Sequence, residues 1–320
     1  MKKILVTGAS GQIGSELTIT LRGIYGNNNV IAAYHKTKSC EQVAASGPVE
    51  FLDCTDVNTI KAIFTKYKVD TIYHLAVLLS AVAEAQPQLA WDVNINGLIN
   101  VLEIARIHKC AVCVPSSIAA FGPGSPRQNV PQETIQRPTT IYGITKVSGE
   151  LLCDYYYGRF GVDTRGLRLP GIISHMTLPG GGTTDYAVDI YYKAITHKSY
   201  TCYLKPGTYL AMMYMPDVLK GMVSIMEVDP SKWKYRNAYN INAMSFSPEE
   251  IANEIKKHIP KFSICYEIDP VRQAIADTWP ESLDDSMARK AWGWKPDYDL
   301  ESMTVDMLAR LSAKLKNKMD

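Results

Sequence analysis

Tyr142 and Lys146 are spaced so that they could act together in proton transfer. Residues at i and i+4 of a helix lie on one face. A lone tyrosine, with a pKa near ~10, is a poor base at neutral pH, but a nearby ammonium group lowers that pKa. The same spacing also fits a solvated helix face. Ser117, with Ser116 as the adjacent alternative, precedes this helix and would hydrogen-bond a reacting oxygen, which favours a catalytic role for the pair.

The segment TGASGQIG, residues 7–14, has the spacing of a phosphate-binding turn. Gly8 would permit the tight turn, Gly11 would let backbone N–H groups approach a pyrophosphate, and Gly14 would allow close packing of helix and strand. The helix that opens at Gln12 and Ile13 would attract phosphate through its N-terminus. Since the turn follows the first predicted strand, dinucleotide binding is favoured over an ordinary glycine-rich loop.

Strand-like and helical patterns alternate through the first half, which predicts an α/β fold with a doubly wound parallel sheet of the Rossmann type. The predicted strands are Lys3–Thr7, Val30–Tyr34, Glu50–Leu52, Thr71–Leu75, Ala111–Pro115 and Asp163–Leu169. The predicted helices between them are Gln12–Tyr25, Val57–Tyr67, Gln86–His108 and Tyr142–Phe160. Chemistry is then expected at the carboxyl edge of the sheet.

The regular alternation ends after Pro170, and a glycine-rich tract follows at Pro179–Gly182. We predict a dinucleotide-binding domain over residues 1–170 and a smaller C-terminal α/β substrate lobe over 171–320. A segment of about 210–245 is expected to return to the first domain. Ser247 and Glu250 have the spacing of a capping box, so a helix is predicted to run from there toward His258.

Composition favours a small ligand over a polyanion. The 320 residues include 34 Lys and Arg against 32 Asp and Glu, which gives no electrostatic reason to expect nucleic acid or a membrane surface. Seven cysteines fit reduced thiols in the cytoplasm, with an organelle matrix as the alternative if a transit peptide had been removed. Cys110 and Cys113 form one isolated CxxC, interpreted as strand packing, and no metal site is predicted.

Taken together, the glycine turn, the NING segment at 94–97, the serine pair and the Tyr–Lys pair resemble the extended short-chain dehydrogenase/reductase superfamily, which includes nucleotide-sugar epimerases. Within it, the chain is similar almost end to end to the epimerase-like branch that oxidises L-threonine. The segments that carry this similarity are LPGIIS at 169–174, PGGGTTDYA at 179–187 and WPESLDDS at 279–286. Strings of this length and composition do not agree by chance.

The resemblance implies a set of site residues. The substrate pocket would comprise Ser80, Ser116, Ser117, Tyr142, Thr183, Thr184 and Trp279. The cofactor contacts would be the turn residues Gly8, Gly11, Gln12, Ile13 and Gly14, with Tyr34, Asp53, Leu75, Ala76, Asn94, Lys146 and Leu169. Asn94 would also belong to the active-site network. Plainer interpretations are a core aromatic for Trp279 and a helix cap for the threonine pair.

One position departs from the family's pattern. Where its threonine enzymes commonly carry an acidic residue for the adenine ribose, this chain has Tyr34, followed by His35, Lys36, Thr37 and Lys38. Either lysine could meet the extra phosphate of NADP, although a solvated basic loop explains them as well. NAD is therefore the expected cofactor, with NADP as the alternative. Asp53 resembles the family's adenine contact.

The expected reaction converts L-threonine to 2-amino-3-oxobutanoate, which the resemblance couples to a 2-amino-3-oxobutanoate CoA ligase or to loss of carbon dioxide. The helices predicted at Gln86–His108 and Tyr142–Phe160 resemble a dimer-forming pair, so a homodimer with a four-helix interface is expected. Two alternatives remain open: a nucleotide-sugar epimerase or dehydratase, and a non-catalytic nicotinamide-sensing protein on the same fold.

Overall fold

The computed structural model describes residues 1–177, 182–229, 231 and 233–316. Pro179, Gly180 and Gly181 of the predicted glycine-rich tract lie outside the described residues. The strands are β1 Ile4–Thr7, β2 Val30–Tyr34, β3 Val49–Phe51, β4 Thr71–His74, β5 Ala111–Cys113, β6 Ser116–Ser117, β7 Thr164–Arg165, β8 Leu167–Leu169, β9 Gly171–Ile173, β10 Ser199–Cys202, β11 Leu210–Tyr214, β12 Tyr239–Asn240, β13 Met244–Phe246 and β14 Ser263–Tyr266.

The helices, in the same order, are α1 Gln12–Tyr25, α2 Glu41–Ala45, α3 Val57–Tyr67, α4 Ser80–Ala85, α5 Pro87–Trp91, α6 Gly97–His108, α7 Ile141–Phe160, α8 Tyr186–His197, α9 Met215–Glu227, α10 Pro248–His258, α11 Pro270–Ala276, α12 Ser286–Trp292 and α13 Leu300–Lys316. Within the described ranges, none of them is long and apolar enough to cross a membrane.

The central sheet is parallel, with strand order β3-β2-β1-β4-β5-β7. Strand β1 is buried along its whole length because helices cover both faces of the sheet, which explains the uninterrupted apolar run at its start. The chain reverses direction across the sheet between β1 and β4, and ligands of open α/β folds bind at such a switch point. The predicted Rossmann-type fold is confirmed.

The predicted last strand, Asp163–Leu169, is wrong as a single element. It divides at Gly166 into β7, which joins the central sheet, and β8, which pairs with β6 and β12 in a second parallel sheet. A Cβ atom at Gly166 would lie 2.3 Å from the carbonyl oxygen of Asn237 and 2.7 Å from that of Val114. Glycine allows this close approach, and the chain changes sheets there.

The predicted helix Gln86–His108 is uninterrupted from Pro87 to His108 but is not a uniform α-helix. Gln86 precedes α5, a π-helical turn covers Asp92–Asn96, and α6 begins only at Gly97. A π turn adds one residue to the helical repeat, which an apolar pattern does not reveal, and such turns occur often at functional sites. By contrast, α10 begins with the predicted capping box, in which Ser247 and Glu250 exchange hydrogen bonds with each other's backbone N–H groups.

Beyond residue 170, β9, β11 and β13 form a mixed sheet that packs with α8, α10 and α13 in a core to which Phe121 and Tyr142 of the first part also contribute. Helix α9 instead packs against α1 and shares the core of the central sheet, and the backbone carbonyl of Met222 accepts a hydrogen bond of 3.4 Å from the Tyr73 hydroxyl. The division near residue 170, with a return over about 210–245, stays a prediction.

Candidate active site

A cavity of about 420 Å³ opens where the carboxyl ends of β1 and β4 meet the second lobe. Among the predicted cofactor residues, its wall contains Gly8, Gly11, Gln12, Ile13, Gly14, Leu75, Lys146 and Leu169. The whole predicted substrate set is also in the wall, namely Ser80, Ser116, Ser117, Tyr142, Thr183, Thr184 and Trp279. The fold therefore brings residues from distant parts of the sequence to one cavity of ordinary ligand-site size.

The glycine turn leaves space against the backbone that side chains would fill. Gly8 has a positive φ of 67°, and a Cβ atom there would lie 2.7 Å from the backbone of Leu75. At Gly14 a Cβ would lie 2.2 Å from the carbonyl oxygen of Gly8, so this glycine lets α1 pack against its own turn rather than against the strand. Gly11 meets only that oxygen, at 3.3 Å, and no side chain of the described chain caps α1. Free N–H groups in a cradle of this kind fit a dinucleotide pyrophosphate.

A pair of substitutions in α1 tests this cradle. Gly14→Ala should weaken NAD binding by at least tenfold and destabilise the fold by about 1–3 kcal/mol, because its methyl group would overlap the Gly8 carbonyl. Gly23→Ala, exposed in the same helix with open space around its Cβ position, should leave NAD binding unchanged and stabilise α1 by about 0.5–1 kcal/mol. Calorimetric NAD titration and thermal unfolding measure both effects, and equal NAD affinity in the two variants would contradict the assignment.

Tyr142 lies in the first turn of α7, and two contacts fix its position. The Thr140 hydroxyl caps α7 by accepting a hydrogen bond of 3.1 Å from the N–H of Gly143. A Cβ at Gly143 would lie 2.3 Å from the carbonyl oxygen of Ala119, so glycine lets α7 approach the turn that follows Ser117. Burial raises the pKa of the Tyr142 phenol to about 12, and a hydrogen bond from Ser117 opposes that rise.

Lys146 lies one helical turn further along, as predicted. Its Nζ donates a 2.8 Å hydrogen bond to the carbonyl oxygen of Pro115 and is 5.4 Å from the centroid of the Tyr142 ring. Burial lowers the pKa of Lys146 to about 8, against the opposing influence of Glu150 and Cys153. The expected acidification of the phenol is therefore not achieved by the protein's own groups alone, because burial outweighs the hydrogen bond from Ser117.

Asn94 supports the site from behind and does not line the main cavity. Its side-chain oxygen accepts a 2.8 Å hydrogen bond from the N–H of Leu78, and its amide donates at 3.1 Å to the hydroxyl of Thr145. That hydroxyl in turn donates at 2.8 Å to the carbonyl oxygen of Tyr142. Asn94 thus joins the π-helical turn to the first turn of α7, which fits its predicted network role, and its predicted cofactor contact stays a prediction.

Three further predicted cofactor residues lie outside the cavity wall. The N–H of Ala76 donates a 3.2 Å hydrogen bond to the Thr7 hydroxyl. Tyr34 ends β2 with its ring edge-on to Phe51, and Asp53 follows β3, where its carboxylate accepts from the N–H and hydroxyl of Thr55. Tyr34 and Asp53 lie at the same edge of the sheet as the glycine turn, which is where residues that contact the adenine would have to lie. Their contact with the adenine end of the cofactor stays a prediction.

His74 is a site residue that the sequence reasoning missed. It ends β4, is 2% exposed, and its Nδ1 lies 2.9 Å from the Thr7 hydroxyl, while its Nε2 has no hydrogen-bond partner. Burial, reinforced by the charge of Lys146, lowers the pKa of His74 to about 3, so the ring is neutral. A polar residue at the carboxyl end of a central parallel strand was the available signal.

The cysteines take no part in the cavity wall, and all seven are free thiols. Cys110 immediately precedes β5 and Cys113 ends it; both are buried, and burial raises the pKa of each thiol to about 12. Over the described ranges no group of three or more His, Cys, Asp or Glu side chains could hold a metal ion.

A glycine turn at the sheet's switch point and a Tyr–Lys pair in the same cavity define a dinucleotide-dependent oxidoreductase of the short-chain dehydrogenase type. Residues 4–242 match the NAD dependent epimerase/dehydratase family, and the chain belongs to that family. The cofactor of the family is NAD.

Similar proteins cover nearly the whole chain. A solved L-threonine dehydrogenase from Clostridium difficile is 61% identical, covers 98% of both chains and superposes with a TM-score of 0.96. A monomeric L-threonine 3-dehydrogenase known from a metagenome is 44% identical over 97% of this chain and 99% of its own, with a TM-score of 0.93. An uncharacterized epimerase/dehydratase of Staphylococcus haemolyticus is 52% identical over 99% of this chain and all of its own.

Proposed function

We propose that this protein is an L-threonine 3-dehydrogenase, which oxidises the C3 hydroxyl of L-threonine to 2-amino-3-oxobutanoate with NAD as hydride acceptor. The observation that carries the proposal is the convergence of Tyr142, Ser117 and Lys146 in the cavity bounded by the glycine turn. The similarity to solved threonine dehydrogenases supports the choice of substrate.

The chain's own residues would handle the proton. The Tyr142 phenolate accepts the hydroxyl proton of the substrate, while the Ser117 hydroxyl, which already interacts with the phenol, donates a hydrogen bond to the reacting oxygen. Lys146 supplies positive charge next to the ring and lowers the energy of the phenolate. Bound NAD supplies the hydride acceptor and a second positive charge at its nicotinamide.

The charges in the cavity wall favour a small zwitterion over a nucleotide sugar. In the described part of the wall the charged side chains are Lys146 and Asp185, and no arginine is present. A nucleotide sugar would bring a second pyrophosphate, which cations normally bind. Hydroxyl groups of Ser80, Thr183 and Thr184 suit the polar groups of an amino acid, and Trp279, 7% exposed, closes the apolar side.

A spectrophotometric assay decides between these functions. NADH should form when L-threonine and NAD are both present, with slower turnover of L-serine and of NADP. A rise in melting temperature with a UDP-sugar but not with threonine would support the epimerase or dehydratase instead. NAD binding without turnover of any alcohol would support the nicotinamide-sensing protein.

The exposed apolar residues of α7 support a homodimer. Ile144, Leu151 and Tyr155 share one helical face, and Leu151 is 63% exposed. Leu89 and Trp91 at the end of α5, and Ile107 on α6, are also exposed large hydrophobic residues. We propose that these faces pair with a second copy of the chain as a four-helix interface, in contrast to the relative described as monomeric.

Light scattering tests the dimer. The wild-type protein should have about twice the chain mass of 35.6 kDa, and Leu151→Arg should halve that mass by placing a charge in the apolar interface. Val305→Arg, an exposed position on α13, is the matched control and should remain dimeric. A wild-type protein with the mass of a single chain would rule out the proposal.

The chemistry of the product indicates a partner enzyme, and the free thiols indicate a cellular compartment. Because a 3-oxo amino acid loses carbon dioxide readily, it must be consumed quickly, and we propose that a 2-amino-3-oxobutanoate CoA ligase transfers its acetyl group to the thiol of coenzyme A and releases glycine. A cytoplasmic location agrees with seven unpaired cysteines. The bacterial origin of the curated relative lends no support to the organelle alternative.

A further inference from the structure

A buried carboxylate lies one helical turn beyond the reactive lysine. Glu150 on α7 is 3% exposed, and its oxygens accept hydrogen bonds from Arg168 at 2.8 and 3.0 Å and from the Gln136 amide at 3.1 Å. The hydroxyl of Ser116 also donates to Glu150. Since Ser116 is adjacent to Ser117, this carboxylate is connected to the catalytic residues from two sides.

A second, small cavity joins this carboxylate to the lysine. Its volume is about 20 Å³, and its wall includes Lys146, Glu150, Ser116, Asn94 and His74. A cavity of more than about 10–15 Å³ with several polar partners holds a water molecule. The unpaired Nε2 of His74 belongs to a residue in this wall. Lys146 and Glu150 thus share a polar space that the main cavity does not include.

The lysine needs a counter-charge because its surroundings are unfavourable to an ammonium group. Lys146 donates a hydrogen bond to the carbonyl oxygen of Pro115, which carries no net charge, and the buried His74 on β4 is neutral. Neither group compensates the charge of the ammonium. On α7 it faces Tyr142, Glu150 and Cys153, of which Glu150 is the only carboxylic acid side chain. Arg168, on β8, is paired with that carboxylate. Burying a cation without an opposite charge favours its neutral form.

We propose that Glu150 is a positioning residue for the reaction, whose carboxylate keeps Lys146 protonated inside the buried site and holds Ser116 beside Ser117. The role in catalysis rests on the proposed function, whereas the effect on Lys146 is a property of the folded chain. An acidic residue eight positions after the tyrosine thereby extends the functional face of α7 by one turn.

The direct test is titration of Lys146 by NMR of protein labelled with ¹³C at the lysine side chains, without added cofactor. The Lys146 signal is assigned by its absence from Lys146→Met. In Glu150→Gln the proton affinity of Lys146 should fall by about tenfold or more, because one opposite charge has been removed. Glu150→Asp, which keeps the charge, should restore most of that affinity.

Gln136→Met is the matched control, since it removes one hydrogen bond to Glu150 but leaves the carboxylate charged. Its Lys146 titration should match the wild-type protein. If Glu150→Gln fails to fold because Arg168 is left unpaired, the double variant Glu150→Gln with Arg168→Met removes both charges and should show a smaller fall in the same direction, because loss of the Arg168 charge offsets part of the effect. An unchanged titration in either folded variant would overturn the proposal.

The activity readout separates this role from a purely structural one. The alkaline limb of the pH–rate profile for threonine oxidation should move to lower pH in Glu150→Gln, because Lys146 would lose its proton earlier. A uniform loss of rate with no movement of that limb would indicate structural damage alone and would overturn the proposal. Failure of threonine turnover in the wild-type protein would instead reject the proposed function, and the NMR titration would still report on Glu150.

Discussion

Tyr142→Phe should lower kcat for threonine oxidation by about 10²–10⁴-fold, the usual contribution of a positioned general base. The substitution removes one hydroxyl group from a ring that is otherwise packed in the core, so the fold should be kept. The glycine turn that would hold the pyrophosphate is untouched. NAD affinity should therefore stay within about threefold of the wild-type value, while kcat and kcat/KM fall together.

Steady-state kinetics and an NAD titration measure these two quantities. Tyr156→Phe is the matched control, because Tyr156 is a buried tyrosine on the same helix whose hydroxyl donates instead to Glu103 at 2.7 Å. That variant should turn over threonine at close to the wild-type rate. A kcat for Tyr142→Phe within tenfold of the wild type would mean that another group accepts the proton.

Local signals were sufficient for the elements around the cofactor cradle. The bounds of α1, α3 and β2 agree with those predicted, because each has a strong apolar pattern and its ends coincide with turn or capping residues. The central sheet could be predicted for a similar reason, since strands that are covered on both faces are apolar throughout. These features depend on neighbours in the sequence.

Departures from regular structure were not predictable from the apolar pattern. The π-helical turn before α6 keeps the same residue types as an α-helix, so only the tertiary contacts of Asn94 and Gly97 distinguish it. At Gly166, where the chain changes sheets, two carbonyl oxygens from other segments approach so closely that only glycine fits. The sequence shows a glycine inside an apolar strand, but it does not show which backbone atoms from other segments contact that glycine.

The site residues of the second lobe were predicted from the family resemblance and not from sequence spacing. Thr183, Thr184 and Trp279 lie far from Tyr142 in the sequence, and no local pattern says that they line one cavity. Burial is a similar case, because the proton affinities of Tyr142 and Lys146 depend on how completely the two lobes enclose them. The pairing of Tyr142 with Lys146 was therefore predictable from their spacing. The pKa values of the two side chains were not, because they depend on burial in the folded structure.

Lys146→Met should move the ascending limb of the pH–rate profile to higher pH by roughly one to three pH units, the range over which a nearby opposite charge shifts a proton affinity. The phenol must lose its proton before it can accept one from the substrate, and burial already raises its pKa to about 12. Without the ammonium, the phenolate loses stabilisation and forms only at higher pH. At pH 7 this corresponds to a loss of roughly 10–10³-fold in rate.

Recovery at high pH distinguishes this electrostatic effect from damage to the site. The rate of Lys146→Met relative to wild type should rise steadily from pH 7 to pH 10, while a disrupted cavity would give a constant deficit. Lys146→Arg keeps the charge but presents a planar group to the Pro115 carbonyl, so it should shift the limb much less and mainly alter KM for NAD. If the ascending limb of the pH–rate profile did not move in Lys146→Met, the bound cofactor alone would lower the pKa of the phenol. Lys146 would then serve only to bind NAD.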